Sequence, residues 1–118
     1  MGIIEQLVEI YKKEPWHKTR MSDKEAMDYH KTRYDNGDIY CYTEDGKVLG
    51  YYERYFLFDS CFLYNVYIEE GHRKGKVFKE LYRHFWETMP LGIKKIIGEK
   101  QKLGGKVIER KTKWGQQK

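Results

Sequence analysis

One short run of the sequence holds most of the side chains that could do chemistry. Residues Glu69–Lys76 combine two carboxylates, a histidine, three cations and two glycines. Glycine lets the backbone approach a ligand closely, and the start of a helix offers free N–H groups and a positive dipole end to an anion. A helix is predicted from residue 76 onward, so Arg73, Lys74 and Lys76 are expected to form an anion site at its start.

The acidic residues of this run suggest a second role. Glu69 and Glu70 end a predicted strand, where a carboxylate could accept the proton of an amine through water. They could equally be the solvated end of that strand. His72 leaves a similar choice, between a base or phosphate contact and an exposed loop residue.

The run lies between the two most regular elements of the chain. Cys61–Ile68 is predicted as a strand with two largely apolar or aromatic faces, as in a strand covered on both sides. Residues 76–88 have the apolar spacing of a helix that packs on the sheet through Val77, Leu81 and Phe85. Strict alternation in the strand would place Phe62, Tyr64, Val66 and Ile68 on one face and Leu63, Asn65 and Tyr67 on the other.

The N-terminal half supplies two helices and a hairpin. Residues 2–13 are amphipathic, and Ser22 with Glu25 forms a capping box that begins a helix through about Tyr34, which Asn36–Gly37 ends. Asp45–Gly46 is typical of a tight hairpin turn. Asp59–Ser60 is expected to form the next turn. The flanking strands are predicted at Ile39–Thr43 and Val48–Phe58.

The chain after the helix is less regular, because Pro90 and Gly92 interrupt it. The sequence predicts a short strand at Ile93–Ile97, one helical turn at Glu99–Leu103 and a last strand at Lys106–Trp114. Together these elements predict an α/β (α+β) domain over residues 1–118, with a mixed, mostly antiparallel central sheet flanked by helices.

Composition excludes several classes of protein. The 118 residues are 16% aromatic, which argues against disorder. No apolar run approaches the roughly 20 residues of a membrane span, and Gly2–Tyr11 lacks the apolar core of a secretory signal. Two cysteines are expected to be free thiols in a reducing compartment, and no spacing fits a metal site. We therefore expect a cytoplasmic protein with no membrane partner and no metal.

Charge is distributed unevenly along the chain. Residues 1–70 carry 9 Lys and Arg against 14 Asp and Glu, whereas residues 71–118 carry 14 against 4. The basic half could bind an anionic partner, namely a phosphate, a nucleotide or a nucleic acid, or could be a solvated lysine surface. The tyrosines of the central strands likewise suggest an acceptor pocket, a stacking platform for bases or half-buried strand faces.

Three segments resemble the GCN5-related N-acetyltransferase (GNAT) superfamily. Residues 44–51 (EDGKVLGY) resemble its acidic hairpin, residues 66–77 (VYIEEGHRKGKV) its central strand, pyrophosphate loop and helix start, and residues 102–108 (KLGGKVI) the opening of its last strand. The resemblance implies a single GNAT-like domain that binds acetyl-CoA and acylates an amine. It also implies that the backbones of Val66, Tyr67 and Ile68 bind the pantetheine arm.

The resemblance implies that the phosphates lie at Arg73, Lys74, Gly75, Lys76, Val77 and Phe78. Helical phase favours Arg73 over His72 as the first loop residue, because Val77 then faces the core. In this register Lys76 and Phe78 replace two small family residues, and Phe78 could crowd the pyrophosphate. Lys100 stands where many members carry the tyrosine that protonates the leaving thiolate.

These departures leave two functions open. The first is acyl-CoA-dependent N-acyl transfer to an unknown amine, with Glu69 as the candidate base. The second is a catalytically inactive GNAT-like protein that binds a protein or nucleic acid through its basic C-terminal half. In its length and its altered loop the chain resembles small, degenerate GNAT-like proteins that phages encode. The second function therefore includes a virion component or an inhibitor of a host protein, located in the virion or the host cytoplasm.

Overall fold

The computed structural model describes residues 2–13, 21–72, 75–100 and 104–109. In this part of the chain three helices and five strands follow one another. They are α1 (Ile3–Lys13), α2 (Asp23–Asp35), β1 (Ile39–Glu44), β2 (Lys47–Leu57), β3 (Ser60–Ile68), α3 (Lys76–Glu87), β4 (Lys95–Lys100) and β5 (Gly104–Glu109).

The described strands form one sheet in the order β1-β2-β3-β4-β5. Neighbours are antiparallel except for β3 and β4, which run parallel because α3 connects them across one face of the sheet. The predicted α+β fold with a mixed, mostly antiparallel sheet is therefore confirmed.

The first two helices form where the sequence predicts them. The amphipathic α1 buries Leu7 and Val8. Ser22 and Glu25 make both hydrogen bonds of a capping box at the start of α2. Gly37, with φ of 84°, provides the left-handed residue just past the α2 C-cap.

The two hairpin turns differ in how well the sequence predicts them. Asp45 and Gly46 have φ of 53° and 79°, as the β1–β2 turn requires. The second turn was predicted at Asp59–Ser60, which is wrong by one residue. Phe58 adopts φ of 57° and forms this turn with Asp59, while Ser60 already pairs with Leu57 as the first residue of β3.

The predicted alternation along β3 is also wrong, because a bulge at Tyr64 shifts it. The pairing with β2 changes register there, from Arg54↔Leu63 to Glu53↔Asn65. Tyr64 and Asn65 both face the α2 side, where they approach Arg33 and Glu53. Beyond the bulge, Val66 therefore lies on the same face as Leu63.

Each face of the sheet packs on its own core. On one face α3 contributes Val77, Leu81 and Phe85, which are buried as predicted. On the other face α1 packs on Val48 and Tyr51 of β2. β2 is thus covered on both sides along most of its length. β3 was predicted to be covered in the same way, but it is mostly half-buried and Val66 is exposed.

The region after α3 departs from the predicted pattern. Ile93 is a buried core residue, and β4 begins only at Lys95. The helical turn expected at Glu99–Leu103 is wrong for its first two residues, because Glu99 and Lys100 pair with Gly105 and Gly104 as strands. Residues 101–103 and 110–114 of the predicted elements lie outside the described residues.

Candidate functional site

The clearest irregularity of the sheet lies between β3 and β4. Their parallel pairing runs from Ser60↔Lys95 to Leu63↔Gly98 and ends there. β3 continues to Ile68, paired with β2 alone in the described part of the chain. The strands therefore diverge where the bulge at Tyr64 bends β3, and an opening forms beside its second half.

The start of α3 lies at the end of this opening. Gly75 is the N-cap residue, with φ of 113°, and no side chain in the described ranges caps the helix. The first N–H groups of a helix have no partner within the helix, and its dipole adds positive potential there. An anion could therefore be held by the backbone from Lys76 to Phe78.

An apolar cleft of about 220 Å³ lies between α3 and the diverging strands. Val66, Phe78 and Tyr82 form its lip and are 55%, 49% and 43% exposed. Its walls are almost entirely carbon, so its surface favours an apolar ligand. It is lined by Tyr52, Leu63, Val66, Phe78, Leu81, Tyr82, Phe85, Trp86 and Ile96.

A polar recess of about 1020 Å³ lies on the opposite face of β3, between the strand end and α1. Tyr67, Glu69 and Glu70 line it from β3 and the following loop. The carboxylate of Glu69 forms an ion pair of 2.9 Å with Lys47. Gln6 fixes the α1 wall, since it bonds to the β1–β2 hairpin at Gly46 O and Val48 N, both at 2.8 Å.

Alternate residues of β2 hold α3 along its length. Gly50 lets the first turns of α3 come close, because a Cβ there would lie 2.7 Å from Val77 Cγ1. Tyr52 hydroxyl bonds to His84 Nδ1 at 2.6 Å. Arg54 donates to Phe85 O at 2.8 Å and to Thr88, and thereby satisfies carbonyls at the helix end. The position of the cleft wall thus depends on β2.

The opposite face of β2 carries a buried ionic cluster around Glu53, which is 1% exposed. Tyr29 hydroxyl donates to Glu53 Oε2 at 2.6 Å, Asn65 Nδ2 donates to Oε1 at 3.1 Å, and Arg33 Nε lies 3.0 Å from Oε2. The Arg33 guanidinium also lies near the rings of Tyr29, Tyr55 and Tyr64. This cluster fixes α2 to the sheet.

Burial controls the protonation of the groups near α3 and β1. Burial, together with the charges of Arg54 and Arg83, lowers the pKa of His84, whose ring also stacks on Tyr40. Burial raises the pKa of the Cys41 thiol to about 12, so this free cysteine is neutral and a poor nucleophile. Both cysteines are free thiols, as predicted.

The structure separates the predicted site residues into three groups. Val66 and Phe78 lie on the lip of the apolar cleft, and the Phe78 ring stacks toward Tyr82, 5.9 Å away. Tyr67 and Glu69 face the polar recess. Ile68 and Val77 pack in the core, so their side chains do not face a ligand site.

Only Lys76 of the three predicted cations lies among the described residues. Lys76 turns toward the β1–β2 hairpin, where its amine lies 3.2 Å from Glu44 Oε2. Arg73 and Lys74 lie outside the described residues. The anion site of three cations therefore stays a prediction, and Lys76 contributes to it only if it exchanges Glu44 for the ligand, which an exposed pair permits.

The cleft lining and the buried cluster around Glu53 were not predicted from the sequence. Two adjacent charged residues, Glu53 and Arg54, inside an otherwise apolar and aromatic strand were the available signal. Neighbouring strand residues point to opposite faces, so in a strand covered on both sides both charges must be buried and need partners.

Comparisons with known proteins add no assignment. No protein-family model matches the chain, and no curated protein matches it. The resemblance to the GNAT superfamily therefore stays a prediction. No described helix has the length and apolar composition that a membrane crossing requires. Residues suited to hold a metal ion do not cluster anywhere in the described ranges.

Proposed function

We propose that the chain is a GNAT-like acyltransferase that uses acyl-CoA to acylate an amine. The observation that carries this proposal is the divergence of β3 from β4 after Leu63, with a cleft on one side of β3 and a recess on the other. No described strand pairs with β3 on the β4 side after Leu63, so backbone N–H and C=O groups between Tyr64 and Val66 could bond to the amides of a pantetheine arm. The divergence thus supplies a binding path, and the amine from the recess and the thioester from the cleft would meet at its opening.

The surroundings of this path suit the pyrophosphate of the acyl-CoA and the amine that it acylates. The uncapped start of α3 suits the pyrophosphate, and the basic half of the chain adds attraction for it. Phe78 stacks toward Tyr82 and lies along the cleft, which supports an open path to the helix start. The recess that Glu69 lines suits the amine.

In the proposed reaction the amine nitrogen attacks the thioester carbonyl carbon. A C–N bond forms, the C–S bond breaks, and CoA leaves as a thiolate that takes a proton from solvent. Glu69 accepts the proton that the amine releases, through a water molecule. Backbone N–H groups of β3 near the bulge would stabilise the oxyanion.

A catalytically inactive binding protein is the second candidate, and a specific observation favours it. Glu69 is paired with Lys47, and Lys76 is paired with Glu44. Two of the charges that the reaction would use are therefore engaged within the chain. A GNAT-like fold with these pairs could serve a protein or nucleic acid partner through the basic half.

Calorimetry with CoA and acetyl-CoA tests the binding step, and thiol release with a panel of amines tests transfer. We expect dissociation constants on the order of micromolar. Glu69→Gln should abolish transfer while binding is retained, whereas Glu87→Gln, a matched change on the exposed side of α3, should leave both unchanged. Binding without transfer to any amine would favour the inactive protein.

A third variant tests the acyl-CoA path itself. If wild type fails to bind CoA and Phe78→Ala binds it, Phe78 excludes the ligand and the acyltransferase proposal is wrong. If neither wild type nor Phe78→Ala binds CoA, the proposal is wrong for a different reason. Binding of nucleic acid should then be measured against salt concentration.

A further inference from the structure

The apolar cleft fits poorly with the polar part of the proposed ligand. A pantetheine arm carries two amide groups and a hydroxyl, whereas the cleft walls are almost entirely carbon. Tyr52 lines the cleft, and its hydroxyl is already hydrogen-bonded to His84 at 2.6 Å. Buried amides without partners are costly, so the arm belongs at the strand edge and the cleft needs an apolar occupant.

The cleft begins where a thioester would lie. Leu63 is the last residue of β3 that pairs with β4, and it lines the cleft together with Ile96 of β4. A thioester placed at the divergence therefore has the cleft directly beside it. The lip residue Val66 is 55% exposed, so this apolar surface is open to a ligand.

We propose that the cleft holds the acyl chain, and that the substrate is a thioester with an acyl chain of about six to eight carbons rather than acetyl-CoA. This inference rests on the proposed function. The cleft volume is about 220 Å³. With about 30 Å³ for a unit the size of a water molecule or a methylene, it has room for about seven units. An acetyl group adds a single methyl and would leave most of this surface unfilled.

Calorimetry on the full chain with CoA, acetyl-CoA, hexanoyl-CoA and octanoyl-CoA tests the inference. Each methylene buried fully would strengthen binding about fourfold. Because the cleft is open along its lip, we expect octanoyl-CoA to bind at least about tenfold more tightly than acetyl-CoA.

Two variants test whether the acyl chain lies in the cleft. Val66→Phe adds an aromatic ring at the lip and should reduce the octanoyl-to-acetyl affinity ratio to below about threefold. Leu91→Phe makes a comparable change at an exposed position outside the cleft and should keep the wild-type ratio. Circular dichroism and thermal melts establish that both variants are folded.

The possible failures are distinguishable. If CoA binds and all three thioesters bind with equal affinity, the acyl-chain inference is wrong and the proposed function stands. A chain-length preference that Val66→Phe does not change also overturns it, because the chain would then lie elsewhere. Failure of CoA and every thioester to bind overturns both proposals.

Discussion

Replacing Glu53 by glutamine should destabilise the fold far more than the same change at the surface. Glu53 is 1% exposed and is the main counter-charge of Arg33, whose Nη2 is buried without a hydrogen bond. Removing one partner of a buried ion pair costs about 3–5 kcal/mol. Asp38, 3.5 Å from Arg33 Nε, retains part of the compensation, so the low end applies.

The hydrogen bonds of Glu53 add a second contribution. The carboxylate accepts from Tyr29 on one oxygen and from Asn65 on the other. A glutamine side chain offers a single acceptor oxygen, so at least one of the two bonds to a carboxylate oxygen is lost, at about 1 kcal/mol. We therefore expect Glu53→Gln to lower the free energy of unfolding by about 3–4 kcal/mol.

Urea denaturation followed by fluorescence measures this loss, with an unchanged m-value as the check on two-state unfolding. Glu44→Gln is the matched control, because Glu44 forms an exposed pair with Lys76 and little change is expected there. The double variant Glu53→Leu, Arg33→Met removes both charges and should be more stable than Glu53→Gln. Equal, small effects at Glu53 and Glu44 would refute the view that Glu53 is a desolvated charge.

Three further predictions concern packing, backbone strain and pH. Gly50→Ala should cost about 1–3 kcal/mol in urea denaturation, because its Cβ would meet Val77 Cγ1 at 2.7 Å, whereas Gly92→Ala, with no atom within 4 Å, should cost nothing. Phe58→Asn should raise the melting temperature and add about 0.5–1 kcal/mol to the free energy of unfolding, because Phe58 has φ of 57°, which asparagine adopts more readily, and is 92% exposed. A lower melting temperature would contradict this. The lowered pKa of His84 means that the unfolded chain binds more protons, so the free energy of unfolding should fall as pH drops below about 6.5, and a His84→Gln variant should lose that dependence.

The elements that the sequence predicted well are those with local signals. Ser22 and Glu25 define a helix start through their own hydrogen bonds, and Asp45–Gly46 defines a turn through its backbone preference. The face of α3 that carries Val77, Leu81 and Phe85 follows from helical spacing alone. In each case the residues that determine the local structure lie within a few positions of one another, so a short stretch of sequence is enough to predict it.

The features that the sequence did not predict depend on distant partners. The bulge at Tyr64 has no local signature, because both faces of β3 are apolar or aromatic and a shift of register leaves the pattern unchanged. Gly104–Gly105 looked like the stop of a helical turn, yet both glycines pair with Glu99 and Lys100 across a hairpin. The cleft depends on the first of these features, since it lies where the pairing of β3 with β4 ends.

The buried charges of β2 connect the two faces of the sheet. Glu53 and Arg54 are adjacent, point to opposite faces and hold α2 and the end of α3 respectively. We expect the loss of either interaction to shift a helix on this strand, and β2 pairs with the half of β3 that borders the opening. Glu53→Gln should therefore weaken binding at the cleft as well as stability, although Glu53 lies on the other face of the sheet. A destabilised variant that keeps wild-type affinity for every ligand would show that the two faces are independent.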